Sequence, residues 1–217
     1  MIWNLNGDWK CELPGGKIID IQVPGCWDRY VEEKDIADRV RLVKTFQIPD
    51  LPKEHFRLFF GGVSYYCRVF LNGAELGVHE GMWDGFSMDA DGAAAEGENR
   101  LTVDVWKPGY HEGDRFPLRQ VLSGFIPDVL CTFGGIWDAV RLESARHFFV
   151  EGHYAQGDER GDGKLTLRLI HTKSKRPVQV TGRILDPYGA PAAEICHICV
   201  QEETEIGFHV ETPLLWS

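Results

Sequence analysis

The sequence predicts an all-β protein built of two sandwich-like domains. Apolar residues recur with period 2 in short runs, and 24 Gly and 11 Pro interrupt the chain too often for long helices. An Asn-Gly pair, Asn72-Gly73, stands between the strand-like runs Val69-Phe70-Leu71 and Ala74 to Gly81. That pair supplies the two adjacent positive-φ positions of a type I′ hairpin.

The elements follow in order. Leu5-Asn6-Gly7-Asp8-Trp9 opens the chain with a turn and a strand signal. Tyr30 to Val40 has room for one short helix, over Tyr30 to Ile36. Phe56, Leu58 and Phe60 alternate with Arg57 and Phe59, and Leu101, Val103 and Val105 alternate with Thr102 and Asp104. Leu165, Leu167 and Leu169 share one parity, as do Val178, Val180, Gly182 and Ile184, and Ile206, Phe208 and Val210 complete the set. Period 2 over such runs means strands with one buried face in antiparallel sheets. A strand over Asp138 to Glu143 closes the first domain, 1–146. His147-Phe148-Phe149-Val150 opens the second, 147–217, whose polar turns fall at 157–163 and 186–191. Strands at that spacing suggest an immunoglobulin-like sandwich, and the second domain is shorter than the about 100 residues and seven strands such a sandwich takes. It therefore reads as incomplete at its C-terminal end.

Composition narrows the function. Hydrophobic residues are 43% and charged residues 26%, ordinary for a globular protein. A net charge of −10 argues against nucleic acid, whose phosphates need a basic footprint. No Lys/Arg block suits a membrane surface, and no apolar run approaches the roughly 18 residues of a span. Met1-Ile2-Trp3-Asn4 leads directly into strand signals, without the basic and apolar regions of a signal peptide. The six cysteines are scattered over a chain too large to need a disulfide framework, so a reduced, cytoplasmic protein is expected. Cys67, inside an apolar strand pattern, serves there as a small hydrophobe.

Few residues carry chemistry. Cys196-His197-Ile198-Cys199 lacks the second ligand pair of a structural zinc site, and a strand would turn its two cysteines to opposite faces. No metal and no cofactor is expected. Glu32-Glu33 and Glu202-Glu203 read as solvated surface charge. Trp83 and Asp84 lie in a loop between Gly81 and Gly85. A Trp beside a carboxylate suits a sugar, since the ring covers a pyranose face and the acid accepts from hydroxyls. The competing reading is a Trp that closes one end of the sandwich. Gly109 to Thr132 is the longest stretch without strand signals, and stretches of that length are usually functional or disordered.

Five segments in one order carry a resemblance: Leu5-Asn6-Gly7-Asp8-Trp9, Val23-Pro24-Gly25-Cys26-Trp27-Asp28, His79-Glu80-Gly81-Met82-Trp83-Asp84-Gly85-Phe86, Gly134-Gly135-Ile136-Trp137, and Pro213-Leu214-Leu215-Trp216-Ser217. With the Asn72-Gly73 hairpin among them, they resemble the N-terminal region of glycoside hydrolase family 2, which includes β-galactosidases, β-glucuronidases and β-mannosidases. Asp138-Ala139-Val140 departs from the Arg-Asp-Val usual after the glycine block. The resemblance implies a galactose-binding-like jelly-roll sandwich followed by a truncated immunoglobulin-like sandwich. It implies a non-catalytic region that shapes the sugar site for a β-glycoside and supports a separate catalytic barrel, with homo-oligomers possible. The family's two catalytic glutamates, about 5–5.5 Å apart in a retaining enzyme, sit on a barrel of about 250 residues for which this chain has no segment. No catalytic residue is therefore assigned, and the chain alone is predicted inactive. In some members an acid just ahead of the glycine block reaches the catalytic pocket. Asp128 is the nearest positional match, and a surface carboxylate is the alternative. Two other readings stay open: a free-standing carbohydrate-binding module, and a scaffold with no sugar affinity.

Overall fold

A computed structural model describes residues 1–32, 37–52, 54–109, 113–117, 132–172 and 177–214. The strands are β1 (Ile2–Asn4), β2 (Gly7–Glu12), β3 (Ile18–Val23), β4 (Gly25–Cys26), β5 (Arg39–Ile48), β6 (His55–Phe60), β7 (Val63–Ser64), β8 (Tyr66–Leu71), β9 (Ala74–Glu80), β10 (Phe86–Asp89), β11 (Gly97–Trp106), β12 (Gly135–Ile136), β13 (Val140–Ala145), β14 (Phe148–Gly157), β15 (Asp162–His171), β16 (Val178–Leu185), β17 (Pro191–Cys199) and β18 (Glu203–His209). The fold is all-β, with antiparallel pairings in each of its sheets. Among the described residues no helix is long and apolar enough to cross a membrane.

The chain divides into two compact units, Met1–Ser144 and Ala145–Ser217. In the first, a sheet of order β3-β2-β5-β11-β8-β9 and a sheet of order β1-β13-β6-β10 enclose one core. Trp9, Leu42, Val69, Leu71, Leu101 and Val103 come to it from the larger sheet, and Leu58, Phe60, Val140 and Leu142 from the smaller. A third sheet of three two-residue strands, β4-β12-β7, joins Gly25–Cys26, Gly135–Ile136 and Val63–Ser64.

The local devices are those the sequence announces. Asn72 has φ 51° and Gly73 φ 85°, so the β8–β9 hairpin turns through two left-handed residues. The Asn72 carboxamide also ties the turn to its surroundings. Its Nδ2 donates to the Ala93 carbonyl and to Asn99 Oδ1, and its Oδ1 accepts from the Arg100 amide. In the opening motif the Trp9 indole donates to the Leu5 carbonyl at 2.8 Å, and Asn6 Oδ1 accepts from the Val140 amide at 2.9 Å. Five consecutive residues thereby join two strands far apart in the chain.

Alternation is incomplete where charges face one another. Arg57 and Asp104 occupy the parity expected to be solvated, yet both are buried. Arg57 donates to Glu143 at 2.7 Å, and Arg41 grips both oxygens of Asp104 at 2.7 and 3.0 Å. Burial pushes the Glu143 carboxyl up, but hydrogen bonds from Arg141 and Arg57 outweigh it and hold the pKa below the usual carboxylate range. Two further expectations need correcting. Tyr30 is the last residue of a 3₁₀ turn over Trp27–Tyr30, and Val31 is already extended at φ −128°, ψ 154°, so no helix starts at Tyr30. Residues 33–36 lie outside the described residues. The strand expected from Asp138 begins at Val140, because Asp138 Oδ1 accepts from the Ala139 amide and Trp137 to Ala139 bond to Gly61 and Gly62 instead.

The second unit has a sheet of order β14-β15-β18 and a two-stranded sheet, β16-β17. Leu167, Leu169, Ile195, Cys199 and Ile206 form its core, flanked by Val180, Ile184 and Phe208. Cys199 is buried and Cys196 exposed, so strand alternation separates the two sulfurs as expected. Among the described residues no cluster of His, Cys, Asp or Glu suits a metal ion.

Candidate functional site

The residues of interest gather where β7, β9 and β12 end. Two glycine pairs make the arrangement possible. A Cβ on Gly62 would fall within the Trp137 ring, and one on Gly61 would meet Asp138 at 2.6 Å. The absent side chains let the Trp137–Ala139 segment lie along Gly61-Gly62, fixed by Trp137 N–H to the Gly62 carbonyl at 3.1 Å and Gly61 N–H to the Ala139 carbonyl at 2.8 Å. Likewise a Cβ on Gly134 would fall within the ring of buried Trp27, and one on Gly135 would strike the Gly25 backbone. Ser64 Oγ donates to the Phe133 carbonyl at 2.7 Å, holding the residue that precedes the second pair.

Asp28 fastens this region. Its Oδ2 accepts from the Gly134 amide at 3.0 Å, and its Oδ1 pairs with the ammonium of Lys107 at 3.1 Å. The Lys107 side chain is only 2% exposed. A buried ammonium needs such a partner, since losing it would leave an uncompensated charge.

On this frame the Met82 carbonyl accepts from the Trp137 indole N–H at 2.8 Å. The next ring, Trp83, meets Trp137 edge-on with centroids 5.7 Å apart, and tilts toward Phe133 at 6.3 Å. Trp83 stays 51% exposed, and Asp84 beside it is exposed. The sequence thus singled out Trp83 and Asp84 at one exposed spot, but missed Trp137 and Phe133. Gly61-Gly62 and Gly134-Gly135 were the available signal, since paired glycines mark close approach. Asp128 lies outside the described residues.

His79 lies behind the same loop. Its ring stacks on Phe86 at 3.8 Å, and its Nε2 is buried without a hydrogen-bond partner among the described residues. Burial lowers its pKa below the ordinary histidine value, and the negative Asp84 and Glu80 offset this only in part. Glu80 also accepts from the Tyr65 hydroxyl at 3.0 Å. A hollow of about 740 Å³ in the second unit, lined by Ile184, Pro191, Phe208 and Pro213 among others, contains neither Trp83 nor Asp84.

The fold is shared with known proteins. Residues 30–121 match the family model described as the glycosyl hydrolase 2 galactose-binding domain-like module. Over 181 residues the chain is 27% identical to a β-galactosidase of Halalkalibacterium halodurans, covering 81% of this chain and 17% of that protein. The solved β-D-mannosidase of Dictyoglomus thermophilum superposes with a TM-score of 0.72 at 19% identity, over 100% of this chain and 32% of that one. A β-glucuronidase from an uncultured Clostridium gives 0.63 at 22% identity, over 99% and 40%. The chain therefore spans well under half the length of each of these relatives. Residues 30–121 thus resemble the galactose-binding-like domain of glycosyl hydrolase family 2, and the chain as a whole has the fold of a part of these larger glycosidases.

Proposed function

We propose that this chain is the non-catalytic N-terminal region of a β-glycosidase, in which a first domain, 1–146, presents one wall of the sugar site and a second, immunoglobulin-like domain, 147–217, supports the catalytic barrel. The observation that carries the reading is Trp83. It is half exposed although two aromatic neighbours brace it, and it has a carboxylate next to it in the chain. A ring held rigid and open in this way stacks on a pyranose at little entropic cost. Asp84, and Asp128 from the stretch that precedes the glycine block, would accept from sugar hydroxyls.

Among the described residues there is no α-helix, and a (β/α)₈ barrel needs eight. The parent's hydrolysis of a β-glycoside, its cytoplasmic location and its assembly into oligomers belong to the same proposal. A pure scaffold would be favoured by a buried or scattered site, and the exposure of Trp83 and Asp84 speaks against it. The test has two arms. Purified chain should show no turnover of nitrophenyl β-galactoside, β-glucuronide or β-mannoside, and a turnover removed by mutating a Glu of this chain would overturn the reading. Titration with neutral mono- and oligosaccharides should change tryptophan emission in the wild type and not in Trp83→Ala. Identical responses from the two proteins would remove Trp83 from the site.

A further inference from the structure

A second aromatic cluster stands on the outer face of the larger sheet of the first unit. Its floor is Trp106 at the end of β11 and Tyr66 at the start of β8, paired across the ladder with rings 5.3 Å apart. Phe116 stacks on Tyr66 at 5.2 Å and meets Tyr65 edge-on at 5.4 Å. Two guanidinium groups lie on this floor. Arg39 sits 4.2 Å over Trp106. Arg115 sits 4.6 Å over Tyr66, 5.0 Å over Phe116 and 5.2 Å over Trp106. Both residues are exposed.

The charges there do not balance. Two carboxylates adjoin the floor: Asp104 is gripped through both oxygens by Arg41, with Arg39 only within 3.6 Å of it, and Glu80, opposite Tyr66 on the ladder, accepts from the Tyr65 hydroxyl, against three guanidiniums. Arg115 has no carboxylate partner among the described residues. Two cations thus converge on one indole within a chain of net charge −10. Like charges brought together repel, and an anion seated between them would relieve that repulsion. A planar guanidinium, oriented by stacking, is suited to bidentate pairing with a carboxylate.

We infer that Arg39 and Arg115, on the floor of Trp106, Tyr66 and Phe116, bind the carboxylate of an acidic glycan. A sugar is favoured over an acidic peptide by what adjoins the guanidiniums. Tyr65 lies against Phe116, and its hydroxyl donates to Glu80, so two oxygen acceptors for ring hydroxyls stand beside the aromatic floor. Residues 30–121, which include this whole cluster, also match a galactose-binding-like domain model. The inference does not depend on Trp83.

Calorimetric titration of the whole chain with three probes tests it: an oligogalacturonate, the same oligomer as its neutral methyl ester, and polyglutamate. The oligogalacturonate should bind, more weakly as salt rises. The methyl ester should bind at least tenfold more weakly. Arg39→Gln and Arg115→Gln should each weaken uronate binding about tenfold. Arg68→Gln, which removes a cation already paired with Glu75, should leave it unchanged. Equal affinity for the methyl ester would overturn the inference, as would indifference to both Arg39→Gln and Arg115→Gln, or no binding at millimolar uronate. Polyglutamate binding as tightly as the uronate would make the face a protein-docking surface instead, and would equally overturn it. Loss of the Trp83 response to neutral sugars leaves this result standing, so the two readings fail separately.

Discussion

The two units are written in the same sequence pattern and packed to different degrees. In the first, two sheets cover one another and bury Trp9, Trp27, Phe60 and Leu101 almost completely. In the second, three strands face two, and the core is Leu167, Leu169, Ile195, Cys199 and Ile206. Val150, Leu185, Ile198 and Val200 stay largely exposed there. Alternation specifies which face of a strand is apolar. How deeply that face is buried depends on how many strands lie opposite.

The comparison is open to direct attack. Leu101→Ala should cost about 3–5 kcal/mol in the first unit, whereas Leu167→Ala should cost about 2 kcal/mol in the second, because a less enclosed site recovers more of the cavity. Urea melts of each variant, followed by tryptophan emission for the first unit and far-ultraviolet dichroism for both, provide the check. Equal losses would mean that the second unit is as tightly packed as the first.

A smaller effect is expected at the hairpin. Asn72→Ala or Gly73→Val should destabilise the first unit by about 1–3 kcal/mol, through lost left-handed turn conformation and, for Asn72, lost bonds to Ala93, Asn99 and Arg100. The second unit should keep its own transition. A shift in both transitions would show that the units unfold together.

The smallest effect is a pH dependence confined to the first unit. His79 has a folded-state pKa below its unfolded one, so protons bind the unfolded chain more readily. Its neutral form stabilises the fold above the unfolded pKa of about 6.5. That stability should decline as pH falls below this value, until the folded group also titrates. His79→Phe should flatten the slope for the first unit below about pH 6.5. An unchanged slope would assign the dependence to another group.

Much of this was legible in the sequence because its signals are local. The Asn72-Gly73 turn, the parity of Leu165, Leu167 and Leu169, and the divergence of Cys196 from Cys199 each depend on a few adjacent residues. The aromatic brace of Trp83 was not legible, because Trp137 arrives from a distant segment and is admitted only by the missing side chain of Gly62. The burial of Arg57 was hidden for a related reason. Its partner Glu143 lies 86 residues away, and nothing near Arg57 distinguishes it from a solvated strand residue. Asp84 could be placed because it accompanies Trp83 in the chain, whereas the place of Asp128 depends on a stretch that has no periodic signal.

The bond from Asp28 to both Lys107 and Gly134 has a consequence for how this domain changes over evolutionary time. It joins positions on either side of the longest stretch without strand signals in the sequence, so the sandwich is fastened where that stretch leaves and returns. Lengthening a flexible loop between fixed ends costs only about 0.6 kcal/mol per doubling. Insertions and deletions between those fixed ends should therefore cost the fold little.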